Sequence, residues 1–279
     1  MVELGNYNRL IISRQVDFGV YLKDEEETQE ILMPSRYLPQ QYEIGDTIDA
    51  FVYKDSEDRW IATTETPIAK VGDFALLEVK QVTRYGAFLD WGVMKDLFVP
   101  FKEQKKKMEV GNSYVVYIYV DEETQRIAAS TKIDRYVSKE PTAYKRGDKV
   151  DLLIYQYTPF GYKAVVDNRY TGIIYDDEVF KPLKIGDRIA GYIKHVREDD
   201  KLDLTVEKEG YGKVEELSGQ LLEKLKQNGR MPLNDHSPAE QIYALCGMSK
   251  KTFKKVIGNL YKQRIITIDE QGIELIAHK

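Results

Sequence analysis

Three aromatic–glycine pairs, Phe18-Gly19, Tyr85-Gly86 and Phe160-Gly161, are the residues of this 279-residue chain whose types and spacing suggest surface chemistry. A flat ring can lie against another flat π-system, and a glycine beside it lets the backbone turn the ring out of a sheet. Residues three apart in a regular strand, such as Tyr85 and Phe88 or Phe18 and Tyr21, point to opposite faces. The glycine between them is expected to supply a bulge or sharp bend that brings both rings to one surface. In the third pair the ring is followed three residues on by a cation, Lys163. This is chemistry of recognition, with nothing in it that makes or breaks bonds. One cysteine, Cys246, cannot close an internal disulfide, and His195, His236 and His278 add no zinc-type spacing, so no metal and no cofactor is expected. The acidic pairs Asp176-Asp177 and Asp199-Asp200 lack a partner histidine or a phosphate-binding glycine loop and read as turn residues. No catalytic residue is assigned, and the chain is read as non-enzymatic.

The elements that hold these pairs repeat. Gly5, Gly72 and Gly147 each precede the aromatic–glycine pair's glycine by 14 residues, and Gly45, Gly111 and Gly186 follow it by 26, 25 and 25. Each of the latter stands between a β-branched and a polar residue, and a basic residue, Arg59, Arg126 or Lys201, closes the unit 14 or 15 residues later. Four anchors in register three times define a triplication with periods of 67 and 75 residues, the size of whole small domains. Runs such as Tyr114-Val115-Val116-Tyr117-Ile118 between Gly, Asp and Asn turns predict strands, and about five per unit predict a small OB-type barrel. Tyr117, Tyr119 and Tyr155 read as ordinary strand residues, and Lys105-Lys106-Lys107 as a solvated loop able to steer a polyanion toward the second unit.

The second unit, with VTRYGAFLDWG, DLFVPF and EVGNSYVVYIYVDEETQRIAAS, resembles an S1 RNA-binding domain along its full length, and the first and third units are similar but more diverged. The whole order, ending in MSKKTFKKVIGNLYKQR, resembles the conserved virulence factor B family, whose members have three S1 domains and a winged helix and are associated with RNA binding. The resemblance implies that Tyr85 and Phe88 take the two aromatic positions of the second unit and Asp121 and Arg126 its polar pair. Arg126 would touch phosphate or stack on a base, and Asp121 would accept from a base edge or orient Arg126. A histidine frequent in S1 domains is replaced by Met33, Val99 and Tyr175, of which only Tyr175 can stand in as a stacking group. In the third unit Arg197 occupies the acidic position and Lys201 the arginine's. The first unit keeps Phe18, Tyr21 and Arg59, yet residues 1 to 68 hold 6 basic and 14 acidic residues, a balance that repels a polyanion.

Beyond about residue 210 the period becomes helical. Val214, Leu217, Leu221 and Leu225 share a face that Gly229 ends, Ser237-Pro238-Ala239-Glu240 reads as a capping box, and Ser249 caps a third helix. That helix places Phe253, Val256, Ile257 and Leu260 on one side and Lys251, Lys254, Lys255 and Lys262 on the other. A hairpin over 265–276 completes a winged helix. Residues 211 to 279 carry 11 basic and 8 acidic side chains in a chain of net charge -5, so affinity for a polyanion should be modest and sensitive to salt.

The reading is a mostly β chain of tandem OB-fold, S1-like barrels followed by an α/β winged-helix domain, with expected limits 1–66, 67–137, 143–209 and 210–279. The partner is single-stranded RNA with weak sequence preference, in post-transcriptional or virulence-type regulation in bacteria. The contacts expected are Tyr85, Phe88, Asp121, Arg126, Phe160, Lys163, Tyr175, Lys201, Phe18 and Tyr21, with the lysine face of the winged helix cooperating through nucleic acid or protein. Alternatives are a DNA-binding regulator led by the winged helix and a protein-docking scaffold. No stretch approaches the roughly 20 apolar residues of a membrane span, and no export signal opens the chain, so a cytoplasmic monomer is expected.

Overall fold

The computed structural model describes residues 1–26, 29–176, 179, 182–206 and 211–276, with the backbone alone for 211–216. Asp177 and His278 lie outside the described residues, as does the Val214 side chain. The chain divides into two compact units, Met1–Ser138 and Lys139–Lys279.

The first unit holds two closed five-stranded barrels and the second unit a third. Barrel one runs β1 (Tyr7–Val16), β2 (Gly19–Lys23), β3 (Ile31–Pro34), β4 (Thr47–Lys54) and β5 (Trp60–Thr63). Barrel two runs β6 (Phe74–Val82), β7 (Gly86–Leu89), β8 (Leu97–Pro100), β9 (Ser113–Val120) and β10 (Ile127–Ser130). Barrel three runs β11 (Lys149–Thr158), β12 (Gly161–Val166), β13 (Tyr170–Tyr175), β14 (Arg188–Val196) and β15 (Leu202–Thr205). In every barrel the first strand pairs antiparallel with the second and fourth, and the third closes the sheet by parallel pairing with the fifth.

The repeated anchors are the fastenings of this barrel. The first glycine of each unit donates its N–H to the fourth strand, from Gly5 to Val52, Gly72 to Ile118 and Gly147 to Ile193. The third glycine donates to the first strand, from Gly45 to Ile12, Gly111 to Val79 and Gly186 to Ile154. Those three acceptors are the residues where the first strand's register shifts, so the bulge sits on the first strand. The expected bend at the second glycine is corrected accordingly. Gly19, Gly86 and Gly161 open the second strand, and a Cβ there would stand 2.1, 2.3 and 2.2 Å from the carbonyl oxygens of Met33, Val99 and Ile174. Close approach of two strands, not a bend, makes these positions glycine. The basic residue accepts the hairpin-closing bond through its carbonyl, Asp55 to Arg59, Asp121 to Arg126 and Arg197 to Lys201.

Barrels one and two share a core. Phe51, Tyr53 and Ile61 of the first pack with Leu77, Val79, Leu89 and Trp91 of the second, and the Phe51 and Trp91 rings meet edge to face at 5.5 Å. The third barrel closes around its own core of Leu152, Ile154, Ala164, Ile174, Ile193 and Leu204.

The C-terminal domain has three helices, α1 (Tyr211–Asn228), α2 (Ala239–Cys246) and α3 (Lys250–Lys262), and a three-stranded sheet in the order β16-β18-β17. The wing strands β17 (Ile266–Asp269) and β18 (Gly272–Leu275) were expected, whereas β16 (Arg230–Met231) is too short to leave a period in the sequence. Gly229 and Gly247 end α1 and α2 in the left-handed conformation, and Ser249 Oγ accepts from Thr252 N–H at 2.9 Å to cap α3. The capping box at α2 does not form. Pro238 is the N-cap, and the Ser237 hydroxyl instead accepts from Asn234 N–H at 2.9 Å, because that loop needs the hydroxyl to close its own turn.

Candidate nucleic-acid interface

The turn ahead of each second strand decides where the lone ring points. In barrel two, Thr83 N–H donates to Gly86 O at 2.8 Å, and Tyr85 N–H donates to Thr83 Oγ1 at 3.2 Å. In barrel three, Thr158 Oγ1 donates to Gly161 O at 2.9 Å and accepts from Phe160 N–H at 3.3 Å. These hydroxyl-closed turns lift the rings out of the barrel, leaving Tyr85 62% and Phe160 72% exposed. Phe18, in the equivalent turn of barrel one, is 59% exposed. Threonine two residues before the ring, Thr83 and Thr158, is the sequence signal of this turn. Arg84 went unnoticed: its guanidinium lies 4.7 Å over the Tyr85 ring and donates to the Tyr85 hydroxyl at 2.6 Å.

Phe88 sits on β7 between buried Ala87 and Leu89, so it faces outward. It pairs across the ladder with Phe98 of β8, ring to ring at 5.0 Å. Phe98 was missed, although the buried neighbours Leu97 and Val99 mark it as the outward residue of DLFVPF. Phe101 follows, 43% exposed. Barrel two therefore turns Tyr85, Phe88, Phe98 and Phe101 outward.

The polar pair departs from expectation. Asp121 does not orient Arg126. It accepts from Thr124 N and Oγ1, each at 2.9 Å, and these bonds hold its carboxyl below the usual aspartate range. Arg126 donates from Nε to Asp58 Oδ1 of barrel one at 2.8 Å and from Nη2 to the other carboxylate oxygen. Asp58 reaches it because the β4–β5 and β9–β10 hairpins lie side by side. Lys54 Nζ donates to Gln125 O at 3.0 Å and Lys95 Nζ to Asp55 O at 2.6 Å across the same seam.

In barrel one Tyr21 lies half-buried under the Arg14 guanidinium at 3.8 Å, and Arg14 is itself paired with Glu30. Arg59 is paired with Asp55 at 2.7 Å and Glu57 at 3.0 Å. Arg14 and Arg59 are thus bound by carboxylates of their own barrel.

Barrel three carries a different face. Lys163 Nζ stands 5.3 Å over Tyr155, and Lys201 is paired with Asp199 at 2.6 Å. Tyr175 pairs with Gly161, as Pro34 pairs with Gly19 and Pro100 with Gly86, so Met33 and Val99 correspond to Ile174. Tyr175 thus lies one register position beyond the replaced histidine, on the outward side. Arg197 Nε donates to Asp203 Oδ1 at 3.0 Å and Nη2 to the Tyr175 hydroxyl, which donates to Asp203 at 3.3 Å. Tyr157 and Tyr162, rings 4.9 Å apart, add aromatic surface on the hairpin that bears Phe160.

On α3 the apolar side, Phe253, Val256, Ile257 and Leu260, is buried as expected. Lys254, Lys255 and Lys262 are exposed, Lys251 is half-buried, and Tyr261 and Arg264 extend the exposed face. Among the described residues no cluster of His, Cys, Asp or Glu is disposed to hold a metal ion, and no helix is long and apolar enough to cross a membrane.

An S1 domain family model matches residues 4–65 and 71–132, and a CvfB-like winged helix domain model matches residues 219–275. The C-terminal domain is a CvfB-like winged helix. Conserved virulence factor B of Staphylococcus saprophyticus is 23% identical over 243 residues, 84% of this chain and 81% of the relative. A protein of Bacillus subtilis, uncharacterized protein YitL, is 25% identical over 266 residues, 92% of this chain and 89% of the relative. Among solved structures, a multidomain protein with nucleic acid binding domains from Streptococcus pneumoniae is 24% identical and covers 98% of both chains, with a TM-score of 0.43. The chain thus joins two matched S1 barrels, a third barrel of the same strand order, and a CvfB-like winged helix.

Proposed function

We propose that this chain binds nucleic acid, and specifically single-stranded RNA with weak overall sequence preference, through the outward rings of barrels two and three. The observation that carries the reading is the exposure of Tyr85 and Phe160 on equivalent hydroxyl-closed turns. A solvated ring held in one place costs burial energy and serves a ligand with a flat face of its own. Every nucleobase has such a face, so stacking at roughly 1–3 kcal/mol per base tolerates sequence, and single strands alone offer unstacked bases. Phe88 and Phe98 extend the platform of barrel two, and Lys163 and Tyr175 that of barrel three.

Barrel one supports a bracing part, because Arg14 and Arg59 are taken by its own carboxylates and its acidic excess repels phosphate. Lys254, Lys255 and Lys262 give the winged helix a polyanion-facing side. We read the protein as a non-enzymatic cytoplasmic monomer of four domains with the limits expected from the sequence, acting in RNA-level gene regulation, as the names of its staphylococcal relatives suggest for virulence. Titration of the full chain with labelled single-stranded RNA and with duplex DNA of equal length, at several salt concentrations, tests this. Tight binding to the single strand, with a salt slope near -0.7 per phosphate contact and much weaker duplex binding, is expected. Preference for the duplex would transfer the function to the winged helix.

A further inference from the structure

The third barrel differs from the other two at one cluster. Arg197 stands where barrels one and two carry Asp55 and Asp121, as the shared hairpin-closing bonds show. Asp203 stands where they carry Ile61 and Ala128, as the shared parallel pairing shows. Two apolar or acidic positions have thus become an ion pair, joined by the Tyr175 hydroxyl.

We propose that Arg197, fixed by Asp203 and Tyr175, forms a guanine-selective nucleotide site on the outer face of barrel three, with Phe160 as its stacking partner. The inference rests on the single-stranded RNA reading above and names the base that this one site prefers. Asp203 is 14% exposed and neutralises the guanidinium, which is itself 39% exposed. A phosphate contact needs net positive charge and tolerates a mobile side chain. A base-edge contact needs the opposite, a planar fork locked in orientation, with its charge already balanced. Nε is engaged by Asp203, and Nη2 by both Asp203, at 2.8 Å, and the Tyr175 hydroxyl, which leaves the two Nη1 hydrogens as donors. A single nitrogen carrying two hydrogens can donate to two adjacent acceptors on one base edge, and guanine O6 and N7 supply them. Phe160 immediately precedes Gly161, the pairing partner of Tyr175, so the exposed ring and the fork flank the same strand end.

The test uses the full chain and four labelled ten-nucleotide uridine strands, with G, A, C or U at one central position, at low and moderate salt. The unmodified protein should bind the G strand about tenfold tighter than the others. Arg197→Ala should level the four while leaving affinity for the all-uridine strand within about twofold. The paired change Arg197→Asp with Asp203→Ala, which copies residues barrel two already carries, should do the same and guards against misfolding. Asp203→Asn should weaken the preference and steepen the salt dependence, because the released charge becomes available to phosphate. Equal binding of all four strands by the unmodified protein, a G preference that survives Arg197→Ala, or a loss equal on every strand would each overturn the proposal. If the protein binds none of the strands, the RNA reading itself fails.

Discussion

Barrels two and three share a strand order, a bulge position and a threonine-closed turn, yet they spend their polar residues differently. In barrel two the arginine of the β9–β10 hairpin is taken by Asp58 of the neighbouring barrel, and the outer face is left to rings. In barrel three the polar cluster is internal, built from Tyr175, Arg197 and Asp203. The difference teaches that a barrel buried against a sister barrel can lose a cation to the seam, while one that closes around its own core can keep its polar groups for the outer face. Stacking is expected of both, and fine discrimination only of the third.

The comparison can be broken most strongly at its shared feature. Replacing Tyr85 and Phe88 together by alanine should weaken single-stranded RNA binding about a hundredfold, by titration, with the protein still folded by circular dichroism. Unchanged affinity would empty barrel two of its role. Phe160→Ala should cost about tenfold and leave the melting temperature unchanged, since the ring buries almost nothing. Charge reversal of Lys254, Lys255 and Lys262 should cost several-fold and flatten the salt slope, and no loss would leave the winged helix as a docking domain. The smallest effect concerns the seam. Asp58→Asn should release Arg126 and raise RNA affinity two- to threefold, whereas no gain would make Arg126 a fastening of the barrels alone.

That seam also has a pH signature. The bond from Arg126 holds the Asp58 carboxyl below its ordinary range. A carboxyl depressed by folding contributes stability above its unfolded value of about 4, and the contribution is lost as pH falls through the lower folded value. Acid titration followed by fluorescence of Trp91, which packs at the barrel contact, should show a transition below about pH 4 that is weaker in Asp58→Asn.

Much of this was legible. Gly5, Gly19 and Gly45 and their equivalents could be read as one framework because each meets a backbone requirement that every barrel repeats. The face of α3 was legible because a 3.6-residue period sorts Phe253, Val256 and Leu260 from Lys254, Lys255 and Lys262. The capping box at Ser237 failed because a local pattern cannot say which of two turns will use one hydroxyl. Phe98 is marked by the alternation of buried Leu97 and Val99 around it, whereas Arg84 and Thr83 lie in a turn, outside any period, so only their residue types mark them.

The amino-acid order alone determined three repeated barrels, a winged helix and the positions of the lone rings, since these follow from strand alternation, turn chemistry and glycine's missing side chain. Tertiary structure decided the partners of the charges. Asp58 and Arg126 are 68 residues apart, and Arg197 meets Tyr175 only because β13 and β15 lie side by side. Charge pairing acts through space, and spacing along the chain carries no record of it until the strands have closed.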